Sequence, residues 1–439
     1  MKSNTPHPKA GLKNLAERDR KHLWHPLTQH KTYGEMLGIS RADGVYLYDE
    51  AGKAYIDAIA SWYTCVYGHC NPAITERVSA QMKQLDQVVF AGLTHEPAVR
   101  LSEALVRVLP AGQDKIFFSD NGSTAVEVGV KMALQYHFNR GEQRKILLAF
   151  EEGFHGDTFG AMSVSGLSVY NGPFRDFSLE VRRIPVPEGP EPTETLEEIR
   201  RLAHSGELAA FIYEPLVQGA AAMKTHDPAG LDRILQAVRE TGALLVADEV
   251  MTGFGKTGSC FASEKLCCPP DILCMSKALT AGLLPMGATS CTAEVFDAFY
   301  SEELARGFFH GHTYTANPLS CTAALAALDL YHSDHIQEGI RNIGEWHREF
   351  EQEAAAHRAV ASTRRIGVIL ALDLDLPVPR YGKSRDRMYR HFLDHGVFLR
   401  PLGNTIYFLP PYVIQKEQMQ AVYEATRSEE HTSELQSLL

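Results

Sequence analysis

Lys277 and Asp248 are the residues of this 439-residue sequence whose types and positions most directly suggest chemistry. Asp248 lies near the end of the apolar run ALLVADE, residues 243–249, and Lys277 ends the run DILCMSK, residues 271–277. If both runs are parallel strands, their carboxyl ends meet at one edge of a sheet, where open α/β folds bind ligands. A lysine amine forms a Schiff base with an aldehyde, and a carboxylate keeps a pyridine nitrogen protonated. The pair therefore suggests a pyridoxal phosphate site.

Each of the two residues also has a purely structural interpretation. Lysine is rarely buried without a partner, so Lys277 can equally end a strand and extend its ammonium group into solvent. Asp248, taken alone, is better explained by a structural salt bridge. The cofactor interpretation therefore depends on whether other parts of the chain supply the remaining contacts of such a site.

A phosphate-binding segment is the next contact that a pyridoxal phosphate site requires. The stretch SDNGSTAVEV places Gly122 and Ser123 after an apolar run and at the start of a helix-period segment. Backbone N–H groups and the helix dipole at such a position favour an anion. The same residues also make an ordinary turn and helix N-cap. Only their combination with Lys277 and Asp248 indicates a phosphate cradle.

The elements that must position these residues alternate between about residue 110 and residue 292. Short apolar runs suit strands covered on both faces, and the segments between them include a helix with Val126, Val130 and Leu134 on one face. This alternation predicts an α/β fold whose large domain has a mostly parallel central sheet flanked by helices. The predicted strands lie in KIFFSD (115–120), KILLAF (145–150), AAFIYEP (209–215), ALLVADE (243–249), DILCMSK (271–277) and GATSCT (287–292).

The two ends of the chain are predicted to form a small α+β domain together. The stretch GVYLYDEAGKAYID reads as a hairpin with its turn at residues 50–52. The C-terminal region combines a long charged helix with the short strand candidates GVILALDLD and TIYFLP. We therefore assign residues 1–65 and 331–426 to the small domain and residues 66–330 to the large, cofactor-binding domain.

The last thirteen residues, 427–439, read RSEEHTSELQSLL and have no apolar period. They resemble a translated sequencing adapter, so we expect a non-native tail that takes no part in the fold.

Composition limits the classes of partner and location. A hydrophobic content of 44% with 22% charged residues indicates a globular chain, and the net charge of −11 without a basic run argues against nucleic acid. No apolar stretch approaches the roughly 20 residues of a membrane span, so we expect no membrane partner. We expect a cytoplasmic location. The eight cysteines show no metal-ligand spacing and are interpreted as reduced core residues, with no metal site.

From about Trp24 to Thr426 the sequence resembles the class III, fold-type I pyridoxal-phosphate aminotransferases. Several motifs are narrower than the general class pattern and resemble the branch that acts in biotin biosynthesis. That branch implies 8-amino-7-oxononanoate as the amino acceptor and S-adenosylmethionine as the donor. The motifs that carry the resemblance are LWHPLTQH, ASWYTCVYGH, SDNGSTAVEVGVKMALQY, HGDTFGAMSVSG, EPLVQGAAAM, ADEVMTGFGKTG, DILCMSKALT, HTYTANPLSC and FLRPLGNTIYFLPPY.

The resemblance implies roles for the cofactor contacts. Lys277 is expected to be the Schiff-base lysine and Asp248 the partner of the pyridinium nitrogen, with Gly122 and Ser123 as phosphate ligands. Thr313, in GHTYTANP, is expected to reach the phosphate of the neighbouring subunit, which implies a homodimer with shared active sites. An alternative for Thr313 is the N-cap of the helix that follows it.

Substrate contacts are implied in the same way. Trp62 and Tyr63 fall where the family lines its substrate pocket, and Gly311 is assigned to the same pocket. Arg400, in FLRPLGN, matches the arginine that binds the carboxylate of the keto acid, which suits its bidentate fork. Without the resemblance, core packing of Trp62 and a surface ion pair of Arg400 would be the favoured interpretations.

Three positions depart from the family pattern. Phe154 stands where the family usually has a tyrosine over the cofactor ring, Leu27 replaces a tyrosine near the substrate, and Lys256 replaces an arginine. These departures leave the amino donor open, so a lysine-using variant of the same biotin step is an alternative.

Four further residues are candidates for supporting the site. Asp157 is expected to contribute to the pocket, and His155 is interpreted as structural. Glu214 and Gln218 are expected to support the site from the same sheet edge.

Two rival functions share most of these residues. The first is another class III activity, which transfers the amino group of an ω-amino acid or a diamine to pyruvate. The second is a catalytically idle binding protein, which the presence of both Lys277 and Asp248 disfavours.

Overall fold

The computed structural model describes residues 15–166, 168 and 171–427. Its strands, numbered along the chain, are β1 (Ile39–Asp43), β2 (Tyr46–Asp49), β3 (Ala54–Asp57), β4 (Gln113–Ser119), β5 (Ile146–Phe150), β6 (Val181–Ile184), β7 (Leu208–Tyr213), β8 (Val217–Gln218), β9 (Lys224–Thr225), β10 (Leu244–Asp248), β11 (Ile272–Met275), β12 (Gly287–Thr292), β13 (Val360–Ile366), β14 (Ile369–Leu374), β15 (Val397–Phe398) and β16 (Thr405–Phe408).

The helices alternate with these strands, and α2 is a left-handed turn rather than a regular helix. They are α1 (Leu15–His22), α2 (Ala60–Tyr63), α3 (Pro72–Met82), α4 (Glu96–Val108), α5 (Gly122–Asn139), α6 (Phe159–Val164), α7 (Thr193–Ser205), α8 (Pro228–Glu240), α9 (Ala293–Asp297), α10 (Pro318–Tyr331), α11 (Asp334–Ala355), α12 (Lys383–Asp394) and α13 (Lys416–Arg427). Short 3₁₀ helices lie at Gly172–Phe177, Ala262–Lys265, Lys277–Thr280 and Leu304–Arg306.

A seven-stranded sheet forms the centre of the molecule, in the order β4-β12-β11-β10-β7-β5-β6. All its strands run parallel except β12, which is antiparallel to both neighbours. The prediction of a mostly parallel sheet is therefore confirmed, and each of the six predicted strand segments contains a strand. The sequence reasoning missed β6, whose residues VRRI lie at the sheet edge with two arginines and no continuous apolar run.

Alternate residues of the central strands enter two different hydrophobic clusters. Leu147, Val246 and Ile272 pack with α5 on one face, whereas Leu148 and Leu245 belong to the larger cluster on the other face. Because both faces are covered, β5, β7, β10 and β11 are buried along their whole length. This double coverage is the physical reason for their continuous apolar runs.

Helix α5 packs directly on the sheet and begins at the site edge. Asn121 caps it by accepting a hydrogen bond from the Thr124 backbone N–H at 3.0 Å. Midway along the helix, a Cβ atom at Gly129 would come within 2.9 Å of the Cys274 Sγ. A side chain there would push α5 away from β11, so a glycine at this position permits the close contact.

The two ends of the described chain meet in a second sheet, in the order β1-β2-β3-β15. The predicted hairpin is confirmed, since β2 and β3 pair antiparallel with Tyr46 opposite Ile56. Strand β15 then pairs in parallel with β3. A third sheet, β13-β14-β16, contains both C-terminal strand candidates. The division into domains at residues 65 and 330 stays a prediction.

Three sequence expectations concern the periphery. Arg427, which we assigned to the tail, ends α13 and forms an ion pair with Glu353, at 2.6 Å from its Nε. The rest of the proposed tail, residues 428–439, lies outside the described residues. Cys70 and Cys267 are exposed, so the interpretation of the cysteines as core residues was wrong for these two. Across the described ranges, none of the helices combines the length and apolarity that a membrane crossing requires.

Candidate active site

Lys277 and Asp248 lie side by side at the carboxyl edge of the central sheet. Strands β10 and β11 are parallel neighbours with Asp248 opposite Cys274, and Lys277 follows three residues later at the start of a 3₁₀ helix. Burial lowers the pKa of Lys277, an effect opposed by the charges of Asp248 and Glu214. The lowered pKa favours the neutral, nucleophilic amine. The interpretation of Lys277 as a strand end with a solvated ammonium group does not fit this environment.

Asp248 is buried and has two hydrogen-bond donors. Its Oδ1 accepts from the Val250 backbone N–H at 3.0 Å, and its Oδ2 lies 2.6 Å from Nδ1 of the buried His155. Because a carboxylate only accepts, the His155 proton lies on Nδ1. Sequence reasoning interpreted His155 as structural and did not connect it with Asp248, 93 residues away. The separation of the two residues in the sequence gives no sign that Asp248 is the partner of His155.

Glu214 follows β7 at the same edge and is also buried. Its two carboxyl oxygens accept from the backbone N–H groups of Phe154, at 3.1 Å, and Gly219, at 3.0 Å. Burial, together with the charge of Asp248, raises the pKa of Glu214 to about 7. Glu214 therefore lies beside the pair, as expected, and fixes the backbone of the loop that carries Phe154.

The start of α5 has the features expected of the predicted anion site. Gly122 and Ser123 are its first two residues, and their N–H groups have no intrahelical acceptor because they lie in the first turn. The N-cap is Asn121, so capping and anion binding use different groups here. A Cβ atom at Gly122 would come within 2.7 Å of Val250, the residue whose N–H binds Asp248. The glycine thus brings the helix start close to the end of β10.

The loop 153–157 passes over this helix start. Gly156 has φ +133°, and a Cβ atom on it would lie 2.2 Å from the Ser123 Oγ. The Asp157 backbone N–H donates to the same Oγ at 3.3 Å, although the Asp157 side chain is exposed. Phe154 keeps 40% of its surface exposed, so its ring is free to cover a ligand.

Trp62 and Tyr63 lie on the left-handed turn α2. Residues 60–63 have φ values of 46°, 46°, 68° and 73°, which costs roughly 1–2 kcal/mol for each non-glycine residue. The turn is held by hydrogen bonds from Tyr63 N–H to Ile59 C=O and from Ser61 Oγ to Asp57 Oδ2, at 2.9 and 2.7 Å. Strain of this kind is typical of functional sites.

This turn joins the lysine to the predicted carboxylate-binding arginine. The Lys277 Nζ lies 5.0 Å from the Tyr63 ring centroid, and the Arg400 guanidinium carbon lies 5.2 Å from the Trp62 ring centroid. Trp62 is 44% exposed, which excludes simple core packing. Arg400 forms no ion pair with any residue that the structure describes, so the surface ion-pair interpretation is not supported.

Tyr407 was missed as a member of this group. Its hydroxyl lies 3.1 Å from that of Tyr63, although the two residues are 344 positions apart. Arg380 was missed as well, since its charge acts on both tyrosines. No sequence signal links positions this distant without a known fold.

Other predicted residues lie elsewhere or play different parts. Gly311 and Thr313 are exposed, and no described contact joins either to Lys277 or Asp248. The N-cap of α10 is Asn317, so the alternative interpretation of Thr313 as that cap was wrong. Leu27 is 43% exposed. Lys256 is fully buried and donates to Gly253 C=O at 2.8 Å, and burial lowers its pKa to about 7.

The assembled groups fit pyridoxal phosphate. The Lys277 amine suits its aldehyde, the Asp248 carboxylate suits its pyridine nitrogen, and the N–H groups at the start of α5 suit its phosphate. The partly exposed ring of Phe154 suits stacking on the flat ring of the cofactor.

Comparison with known proteins identifies the class. The family model of class III aminotransferases matches residues 28–428, and this chain belongs to that family. The expected fold, the aminotransferase class and pyridoxal phosphate as cofactor are thereby confirmed. A relative in Synechococcus elongatus named adenosylmethionine-8-amino-7-oxononanoate aminotransferase is 42% identical over 417 residues, covering 92% of this chain and 97% of that protein.

Two solved structures show the same fold. The adenosylmethionine-8-amino-7-oxononanoate aminotransferase of Methanocaldococcus jannaschii has a TM-score of 0.87 at 32% identity, covering 94% of this chain and 98% of that one. The omega transaminase of Pseudomonas jessenii in complex with PMP has a TM-score of 0.88 at 27% identity, covering 96% and 99%. Backbone similarity alone does not separate the two activities, because the scores are nearly equal.

Proposed function

We propose that this chain transfers an amino group from S-adenosylmethionine to 8-amino-7-oxononanoate, giving 7,8-diaminononanoate in biotin biosynthesis. The observation that carries the proposal is the pocket in which adjacent residues, Trp62 and Tyr63, contact Arg400 and Lys277 respectively. It combines a free guanidinium, an apolar wall and a reactive amine. The relatives that bear this activity in their names, at 42% and 32% identity, support the same choice.

The chemistry divides between the cofactor and the chain. When bound, pyridoxal phosphate supplies an aldehyde that takes up the amino group and a ring that accepts electrons from the adjacent carbon. Burial lowers the pKa of Lys277, so its Nζ can accept a proton from the substrate carbon. The same Nζ gives the proton back as the amino transfer is completed. Asp248 holds a negative charge opposite the ring nitrogen. The N–H groups of Gly122 and Ser123 bind the phosphate.

The acceptor is recognised by charge at one end and apolar surface along its length. Arg400 binds the terminal carboxylate through two charge-assisted hydrogen bonds. The hydrocarbon chain of the keto acid then lies against the exposed Trp62 ring, which places its keto group toward Lys277. The Arg400 guanidinium carbon lies 5.2 Å from the Trp62 ring centroid, and no ion pair of Arg400 is described, so its donors are available to the carboxylate.

Arg400→Ala is expected to slow the keto-acid half-reaction by tenfold or more, because a desolvated bidentate contact is lost. A tenfold loss corresponds to about 1.4 kcal/mol of transition-state stabilisation. The visible absorbance of the cofactor-loaded protein stays unchanged, and the donor half-reaction changes less. Single-turnover absorbance measurements with 8-amino-7-oxononanoate check this. Arg358→Ala, at an exposed position, serves as the matched control. An unaltered keto-acid half-reaction in Arg400→Ala would remove Arg400 from the acceptor site.

A second candidate is an omega transaminase that uses pyruvate. The TM-score of 0.88 with the Pseudomonas jessenii enzyme is compatible with it but does not separate the two activities. Phe154 and Leu27 stand where the family has tyrosines, so the donor has its own test. Offering S-adenosylmethionine, lysine and alanine in turn to the loaded protein separates the donors.

We further propose a homodimer in which Thr313 and Gly311 complete the site of the other subunit. Support comes from their exposure, since in one chain nothing described joins them to Lys277. Mixing Lys277→Ala and Thr313→Ala chains after mild dissociation is expected to restore activity, because one site of the mixed dimer then holds both native residues. Either variant reassembled alone is the control. No recovery in a mixture shown to contain mixed dimers would contradict the shared site.

A cytoplasmic location belongs to the same proposal. All eight cysteines are free thiols, which suits a reducing compartment. Recovery of the protein only in an oxidising compartment after cell fractionation would contradict it.

A further inference from the structure

His155 binds Asp248 through Nδ1, and its other nitrogen is the starting point of this inference. The His155 Nε2 is buried and has no hydrogen-bond partner among the described residues. The same holds for both amide atoms of Gln218, a side chain that is completely buried on β8. Leaving a buried polar atom unpaired costs about 1–3 kcal/mol, so three such atoms in one region call for a shared solution.

The surroundings of Gly153 show that two of these atoms, the His155 Nε2 and the Gln218 Nε2, lie close to the same position. A Cβ atom at Gly153 would lie 3.0 Å from the His155 Nε2 and 3.6 Å from the Gln218 Nε2. It would also lie 3.6 Å from the Phe150 carbonyl oxygen. The position next to Gly153 therefore has a histidine nitrogen, an amide and a carbonyl within reach. Two to four polar partners are what a bound water molecule needs.

We propose that Gln218 is a positioning residue for His155, acting across the space at Gly153 through one bound water molecule. The water accepts from the Gln218 amide and donates to the His155 Nε2, which must then be unprotonated. The water thereby reinforces the tautomer that the Asp248 carboxylate selects, with the ring proton on Nδ1. Asp248 in turn remains a carboxylate that only accepts, as the cofactor's ring nitrogen requires. The inference rests on the cofactor chemistry of the family and not on the identity of the donor or acceptor.

Other charged groups around this chain are accounted for. Glu214 faces both His155 and Asp248 from the end of β7, and its pKa is raised to about 7. Lys277 and Cys274 face Asp248 from β11 and the residues after it. None of these groups contacts the His155 Nε2, so none of them takes the place of Gln218 at this nitrogen.

Gln218→Leu replaces the amide with an apolar group and keeps a side chain of similar size. We expect kcat to fall about tenfold with little change in KM, the size of effect expected for one buried hydrogen bond. The visible absorbance of the cofactor-loaded protein is lost on acidification, and the pH at which half of it is lost is the acid-side midpoint. We expect this midpoint to lie about one pH unit higher in the variant, because the Asp248 carboxylate loses part of its hydrogen-bond support.

Gly153→Ala tests the same link without altering Gln218. The added methyl group fills the space between the two side chains, so the same acid-side shift of the absorbance is expected. His226→Leu is the matched control, since His226 is buried directly after β9, the strand that pairs with β8, has no described hydrogen-bond partner for its ring and does not contact Asp248. It should leave the acid-side midpoint in place.

A high-resolution crystal structure of the cofactor-loaded protein provides the direct observation. The proposal expects a water peak within hydrogen-bond distance of the His155 Nε2 and the Gln218 amide, and its loss in Gly153→Ala. Unchanged absorbance midpoints in both Gln218→Leu and Gly153→Ala would overturn the proposal, as would a dry gap. None of these outcomes depends on which substrates turn over, so the proposed function is tested separately.

Discussion

Lys277→Ala is expected to lower kcat by roughly 10³-fold or more, because the Lys277 side chain both holds the cofactor and moves the proton during the amino transfer. The protein should still bind pyridoxal phosphate through the start of α5 and Asp248. Borohydride treatment of native, loaded protein should fix the cofactor covalently on the peptide that contains Lys277. The same treatment of the variant should leave every peptide unlabelled.

Lys83→Ala is the control for this experiment, since Lys83 is exposed. Its activity and labelling should match those of the native protein. Efficient turnover by Lys277→Ala, or a label on another lysine such as Lys256, would show that the wrong amine has been assigned.

Asp248→Asn is the second substitution with a large expected effect, a loss of about 10²-fold to 10³-fold in kcat. Asparagine keeps the size of the side chain and a hydrogen-bond acceptor for His155, but it removes the charge that stabilises a protonated ring nitrogen. The visible absorbance of the loaded protein should change as well, in contrast to Arg400→Ala. Absorbance spectra and steady-state rates measured on the same preparation check both effects.

Asp329→Asn provides the comparison, since Asp329 forms an exposed ion pair with Arg77. It should leave both the spectrum and the rate unchanged. If Asp248→Asn behaved like this surface variant, the charge of Asp248 would have no part in the reaction.

The large sheet was predictable because its strands are buried on both faces. Strands β10 and β11 are recognisable as short apolar runs, and the polar residues at their ends, Asp248 and Lys277, are the ones that a parallel sheet aligns. Strand β6 was not predictable in this way, because an edge strand with one neighbour has no need of a continuous apolar run.

From the residues alone, the site was predictable where its groups follow these strands or begin α5. The contact between His155 and Asp248 joins a loop to the end of β10, 93 residues away, and the contact between Tyr63 and Tyr407 joins the N-terminal and C-terminal regions. The left-handed turn at 60–63 has no glycine, so the usual sequence signal of positive φ is missing. Its conformation is held by side-chain contacts such as the bond from Ser61 to Asp57.

The most direct test of the proposed function is a product measurement. Cofactor-loaded protein is incubated with S-adenosylmethionine and 8-amino-7-oxononanoate, and in parallel with an ω-amino acid and pyruvate, and the products are identified by mass spectrometry. The account predicts 7,8-diaminononanoate in the first reaction, at a rate that Arg400→Ala lowers. Rapid transfer to pyruvate together with no 7,8-diaminononanoate from any of the three donors, S-adenosylmethionine, lysine or alanine, would contradict it.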